Sequence, residues 1–270
     1  MSSDDRWCEK QLLGSGLLWL AEPLAACTGI VMVVIFLLPN SDKREKLPPL
    51  FLWTKASLVL LGLGTVLFHG MSRSYAKDVL HVNLDMFDWL PLVVVAASLV
   101  ALYCGGIRLS NAWQCCAYAA GGVWVLFLCI CMDSATYNFW EEDSGGGGKA
   151  WGLILNAILL LPLFATLVYF TAVRLKQQAV TLWMLLIVSL VFWVVNVAAC
   201  KYAPALALFH ALYHVVMAVA LVHAACLGLL ITTDEWELVA GGGTWVPLRV
   251  ARVRQKDEEE KSSSLWLMRQ

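Results

Sequence analysis

The sequence contains few charged residues, and this scarcity excludes several classes of protein. Only 14% of its 270 residues are charged, against the roughly 25% of an ordinary soluble domain. No basic cluster is interleaved with aromatic residues, so no nucleic acid is expected as a partner. The nine cysteines do not follow the paired spacing of a zinc ribbon. The chain is instead rich in apolar residues, which make up 60% of it.

The apolar residues are gathered in seven stretches, each near the ~20 residues that a membrane-spanning helix needs. Short connections join them, which predicts antiparallel neighbours packed in one bundle. The predicted fold is therefore all-α, an integral membrane bundle of seven transmembrane helices embedded in a lipid bilayer. The predicted spans are residues 12–38, 48–69, 87–104, 111–132, 150–172, 181–199 and 203–231.

The loops also predict an orientation and a division of the chain. The first span follows acidic residues and has no obvious cleavage site, so we interpret it as a retained helix. Lys and Arg are more numerous on the side of the C-terminus once the basic residues nearest the last span are counted, and such an excess marks the cytosol. We expect residues 1–11 to be luminal, residues 12–231 to form the membrane domain, and residues 232–270 to be a cytosolic tail, disordered by its composition.

Three histidines lie inside apolar segments, where an ionisable side chain is costly without a partner. His69 ends the second span, and His210 and His214 lie near the start of the seventh, so all three are expected at one depth. His210 and His214 are four residues apart, which places them on one helix face. Such a pair alone is also typical of packing or hydrogen bonding. Together, three imidazoles are a ligand set that leaves zinc one open coordination position.

Two further polar residues are expected near the histidines. Asp88 begins the third span at the same depth and could act as a general base, although Asp85 competes for that role. Thr65 lies four residues before His69, on the same helix face, where a hydroxyl could stabilise an oxyanion. The alternative for Thr65 is a hydrogen bond to its own helix backbone. Gly62 and neighbouring Gly64 favour close helix packing.

In combination these motifs resemble the alkaline ceramidases, a branch of the CREST superfamily of seven-helix membrane hydrolases. The resemblance runs from the N-terminus to about residue 231, and each motif is short. The motifs are Trp7-Cys8-Glu9, Ala21-Glu22, Thr65-x3-His69, Asp88-Trp-Leu-Pro, Phe192-Trp193 with Asn196 and Cys200, and His210-x3-His214. Thr65 stands where the family has serine.

The resemblance implies a function and a set of site residues. It implies zinc-dependent hydrolysis of a ceramide-like N-acyl sphingoid base to a fatty acid and a free sphingoid base, in the membrane of the endoplasmic reticulum or Golgi. His69, His210 and His214 would bind zinc, and Asp88 and Thr65 would be catalytic. Calcium would be a second cofactor, and Cys8 and Cys200, both expected on the luminal side, would form a disulfide. The implied calcium ligands are Trp7, Glu9, Gln11 and Glu22.

Two other functions remain open on the sequence. One is a receptor-like seven-helix protein in which the same zinc site is structural, as in the progestin and adiponectin receptor branch. The other is a hydrolase of the same superfamily that acts on a different lipid. The side of the membrane that each terminus faces would separate the first from a ceramidase, and a panel of lipid substrates would separate the second.

Overall fold

The computed structural model describes residues 22–41, 46–71, 85–105, 168–170, 178–199, 208–232, 236–239 and 249–252. Within these ranges the protein forms five helices and a small antiparallel sheet, and residues 168–170 are helical as well. The helices are α1 (Pro23–Leu37), α2 (Pro49–Gly70), α3 (Asp85–Cys104), α4 (Gln178–Ala199) and α5 (Leu208–Thr232); the strands are β1 (Trp236–Val239) and β2 (Arg249–Arg252).

The described helices support the prediction of a helical membrane protein. Three of them include segments long and apolar enough to cross a bilayer, namely Pro49–Gly70, Ala179–Asn196 and Leu208–Thr232. The apolar helices Pro23–Leu37 and Leu90–Cys104 are shorter. Of the other two predicted spans, residues 111–132 lie outside the described part of the chain, and residues 150–172 contribute the helical residues 168–170.

Proline sets the start of the first two described helices. Pro23 and Pro49 occupy the first turns of α1 and α2, where the missing N–H of proline is no loss and its fixed φ suits a helix. The residue before a proline is disfavoured in the α conformation, and Glu22 is accordingly non-helical, with φ −136° and ψ 83°. Residues 12–21 of the predicted first span lie outside the described part of the chain, and the described helix begins at Pro23, directly after the non-helical Glu22.

Helix α5 is at the centre of the described bundle. It contacts all four other helices, and nearly all of its second half is buried. Around it, α1 packs against α2, and α2 packs against α3. The crossing of α1 and α2 is close, and it is possible because Gly29 and Gly62 have no side chains. A Cβ at Gly29 would lie 2.9 Å from the backbone nitrogen of Val66, and one at Gly62 would lie 3.1 Å from that of Val33. The predicted packing role of Gly62 is thereby confirmed.

The two strands lie beyond the end of α5, in the segment for which composition predicts disorder. Their pairing is antiparallel, with Trp236 opposite Arg252 and Leu238 opposite Val250. Trp236 and Val250 are both buried, and the backbone N–H of Val250 donates to the carbonyl of Asn40 at 2.7 Å. These eight strand residues therefore differ from the expected disordered tail. The physical reason is that their apolar side chains join the core at this end of the bundle.

Candidate metal centre

The ionisable residues of the candidate site lie at one end of the helical bundle. His69 lies in the last turn of α2, and His210 and His214 lie in the first two turns of α5. Glu22 is the residue immediately before α1, and Asp88 lies in the first turn of α3. The helices bring the three histidines together, because α2 ends beside the starts of α1 and α5, while the common membrane depth of Asp88 stays a prediction.

The three imidazole rings form a compact triangle. The ring centroids of His69 lie 4.9 Å from those of both His210 and His214, and the latter two are 4.7 Å apart with an interplanar angle of 28°. One nitrogen from each ring can be chosen so that all three lie within 4.8 Å of one another. A tetrahedral zinc site needs nitrogens about 3.3 Å apart, so the three nitrogens would have to approach one another by up to about 1.5 Å to hold such an ion.

The surroundings of the triangle favour a metal ligand set over a packing cluster. His69 and His214 are 3% and 6% exposed, and the side chain of His210 is 14% exposed. The Nε2 atom of His214 is buried and has no hydrogen-bond partner among the described residues. A buried polar atom without a partner is costly, and coordination of a cation by this nitrogen would remove that cost. The residues present therefore fit a metal ion.

Glu22 lies against the histidines, which the sequence did not predict. Its Oε2 accepts a hydrogen bond from Nδ1 of His69, and its Oε1 lies 3.9 Å from Nδ1 of His210. Its backbone N–H also donates to the carbonyl of His69 at 2.8 Å. Glu22 was assigned to a calcium site by resemblance; in the structure its carboxylate faces two imidazoles of the triangle.

Thr65 is placed as predicted, one turn before His69 and buried. Its hydroxyl donates to the carbonyl of Leu61 at 3.0 Å, within its own helix. This is the backbone hydrogen bond that was the alternative to a catalytic role. Any donation from Thr65 to a substrate would require this bond to be released, so its catalytic role stays a prediction.

Asp88 is described by its backbone only, and its position depends on a close contact between α2 and α3. Pro91 has no N–H to donate to the carbonyl of Phe87, four residues earlier. That carbonyl oxygen is directed at Gly64, where a Cβ would overlap it. The absence of a side chain at Gly64 thus lets the first turn of α3, including Asp88, pack against α2 next to Thr65.

Several predicted site residues lie outside the described part of the chain. They are the remaining calcium candidates Trp7, Glu9 and Gln11 and both disulfide candidates, Cys8 and Cys200. The calcium site and the disulfide therefore stay predictions.

Sequence reasoning missed two neighbours of the triangle. One is Glu22, whose place beside His69 is favoured by Pro23, since the residue before a proline is disfavoured in the α conformation and residue 22 then lies at the helix start. The other is Tyr213, whose ring centroid lies 5.1 Å from that of His214 and 6.2 Å from that of His210. The spacing of Tyr213, three residues after His210, would have placed it near that face.

Comparisons with known proteins add no family assignment. No protein-family model matches the chain, and no curated protein was found to be similar to it. The likeness to alkaline ceramidases is carried by the short motifs described above and by their order along the chain.

Proposed function

We propose that this protein is a metal-dependent amide hydrolase of the membrane, which cleaves a ceramide-like N-acyl sphingoid base to a fatty acid and a free sphingoid base. The observation that carries the proposal is the triangle of His69, His210 and His214 at one end of helices that are long and apolar enough to cross a bilayer. Ionisable residues at such positions are functional by default, because their burial costs free energy.

The roles of the residues follow from their chemistry. The three histidines, as neutral imidazoles, would hold the metal, for which zinc is the proposed identity. Such an ion would supply the Lewis acidity that makes water a nucleophile near neutral pH. The water oxygen bonds to the amide carbonyl carbon and the C–N bond breaks. Asp88 carries a proton from the water to the departing amine nitrogen. Asp85, the alternative base, begins the same first turn of α3, so Asp88→Asn and Asp85→Asn are the variants that decide between the two.

The location of the triangle favours a lipid substrate. The histidines lie at the ends of α2 and α5, so a lipid whose amide lies just below its polar head could present that bond at this depth. The acyl chain and the sphingoid chain would stay among apolar side chains. His210 is the most exposed of the three histidines and marks the side from which the substrate approaches. The seven-helix topology with a luminal N-terminus is part of this proposal.

The test is metal content together with ceramide hydrolysis, measured on the purified chain in detergent. Wild type is expected to contain one zinc ion per chain and to release sphingoid base, and His210→Ala is expected to lose both. His223→Ala is the matched control, because His223 is buried in the same helix but is not part of the triangle. It should retain both properties.

The remaining outcomes separate the rival functions. Zinc without hydrolysis of ceramides, but with hydrolysis of another lipid in a panel, would identify a different lipid hydrolase. Zinc without hydrolysis of any lipid would favour a receptor-like protein with a structural zinc site. A well-folded wild-type chain without metal would refute the metal centre itself.

A further inference from the structure

Glu22 makes two separate hydrogen bonds with His69, and the proposed hydrolysis gives this pair no role. Its carboxylate accepts from Nδ1 of His69, and its backbone N–H donates to the His69 carbonyl at 2.8 Å. The carboxylate is buried, since Glu22 is only 3% exposed. One hydrogen bond holds the main chain of His69 and the other holds its ring, so the orientation of the His69 imidazole depends directly on Glu22.

The side of the ring that Glu22 contacts determines which nitrogen is left for a metal. An imidazole that donates from Nδ1 carries its hydrogen there, so the lone pair that can bind a metal is on Nε2. Among the described residues, the candidate ligand atoms of the triangle come from the three histidines alone, and the carboxylate of Glu22 is not one of them. Glu22 therefore contacts His69 at Nδ1, which leaves Nε2 as the nitrogen of that ring for an ion, and the other carboxylate oxygen faces Nδ1 of His210 at 3.9 Å.

We propose that Glu22 is a positioning residue of the metal centre: its carboxylate holds His69 in the tautomer and orientation that direct Nε2 at the ion. This inference rests on the proposed metal site and assigns Glu22 a direct role there, in place of a role through calcium. Carboxylates that bind the second nitrogen of a metal-bound histidine raise its basicity and fix its ring. Its second oxygen lies 3.9 Å from Nδ1 of His210, too far for a hydrogen bond, so the positioning role is assigned for His69 alone.

The backbone at the start of α1 explains how Glu22 can position His69. Pro23 begins the helix, and Glu22 adopts an extended backbone with φ −136°. Its N–H donates to the main chain at the end of α2, and the same placement brings the carboxylate to the ring of His69. A negative charge at this depth also compensates part of the charge of a bound dication, which favours the ion in a membrane interior.

The experiment measures zinc affinity by competition with a chromophoric chelator, on the full chain in detergent and in buffer freed of calcium. Glu22→Gln should still bind one zinc ion, but with an affinity about 10–100-fold lower than that of wild type. When Co²⁺ replaces zinc, the absorption bands of Glu22→Gln should be as intense as those of wild type, because the number of ligands is unchanged. Their wavelengths should shift, because the His69 ring is held differently. Glu237→Gln is the matched control, because Glu237 is an exposed carboxylate in β1 and should change nothing.

Three results would overturn the inference. Equal zinc affinity of wild type and Glu22→Gln would show that the carboxylate does not position His69. Complete loss of zinc and of the Co²⁺ bands, as expected for His69→Ala, would make Glu22 a direct ligand instead. Wild-type zinc affinity that rises to its full value only when calcium is added would mean that Glu22 acts through calcium.

Two further measurements keep the test decisive. If Glu22→Gln does not fold, Glu22→Asp keeps the charge on a side chain one methylene shorter and should show a smaller loss of zinc affinity; affinity equal to that of wild type would count against the proposal. A wild-type chain that binds no zinc refutes the metal centre and this role together, whereas zinc binding that is insensitive to residue 22 refutes this role alone.

Discussion

The contact between Gly64 and the first turn of α3 predicts that a single methyl group will disturb the site. In Gly64→Ala the new Cβ would overlap the carbonyl oxygen of Phe87 and lie 3.0 Å from Cγ of Pro91. A carbon and a carbonyl oxygen need about 3.3 Å, so α3 must move outward by roughly 1 Å. The obstacle is backbone, which cannot rotate away, and we expect a cost of about 1–3 kcal/mol from overpacking.

Gly70→Ala is the matched control for this prediction. A Cβ at Gly70 would find its nearest neighbour, Cβ of Ala26, at 3.8 Å, which is an ordinary contact. Both substitutions replace glycine by alanine in α2, and alanine favours a helix by up to about 1 kcal/mol. Comparing the two variants therefore isolates the steric effect. Thermal unfolding in detergent should show Gly64→Ala melting roughly 2–12 °C below Gly70→Ala.

The activity of the same pair tests the proposed role of Asp88. A displacement of about 1 Å at a reacting group can lower the rate by about 100-fold, so Gly64→Ala should hydrolyse ceramide far more slowly while its zinc content stays at the wild-type level. If Gly64→Ala has the same melting temperature as Gly70→Ala, the close approach of α2 and α3 is wrong. If it melts lower but keeps full activity, the position of α3, and with it Asp88, does not matter to catalysis.

Three other substitutions test separate parts of the structure. His214→Ala should abolish the rise in melting temperature on adding zinc, which at a free zinc concentration of 100 times Kd corresponds to about 2.7 kcal/mol, while His223→Ala should retain it. Trp236→Ala should speed cleavage of the C-terminal tail by added protease, because Trp236 is buried, whereas Trp53→Ala should not, because Trp53 is 61% exposed. Tyr103→Phe should lower the stability measured by thermal unfolding by about 1 kcal/mol, through loss of its 2.9 Å hydrogen bond to the main chain of α5.

Much of the helical framework could be predicted from the sequence, because apolar stretches of sufficient length specify membrane helices with little help from their neighbours. The second, sixth and seventh predicted spans agree with α2, α4 and α5 to within a few residues. The convergence of His69 with His210 and His214 was also predictable, since consecutive spans alternate in direction and therefore place known sequence positions at known depths.

The parts that were missed depend on local detail that hydropathy does not contain. The place of Glu22 beside His69 depends on Pro23, one residue that shifts the start of a helix within a long apolar stretch. The pairing of β1 with β2 depends on two short strands whose buried residues, Trp236 and Val250, are separated by glycines and surrounded by charges. In both cases the average composition of the segment obscured the few residues that decide its structure.

Helix α5 carries two of the three histidines at its beginning, and β1 starts four residues after its end. No proline interrupts its 25 residues, so it is a continuous helix about 37 Å long. Tilting such a helix by about 3° around one end moves the other end by about 2 Å, which is large beside the roughly 0.2 Å tolerance of metal–ligand distances. The distances from His69 to His210 and His214 therefore depend on how the full length of α5 is packed, including its contact with β1 at the far end, and not only on the two turns that carry the histidines.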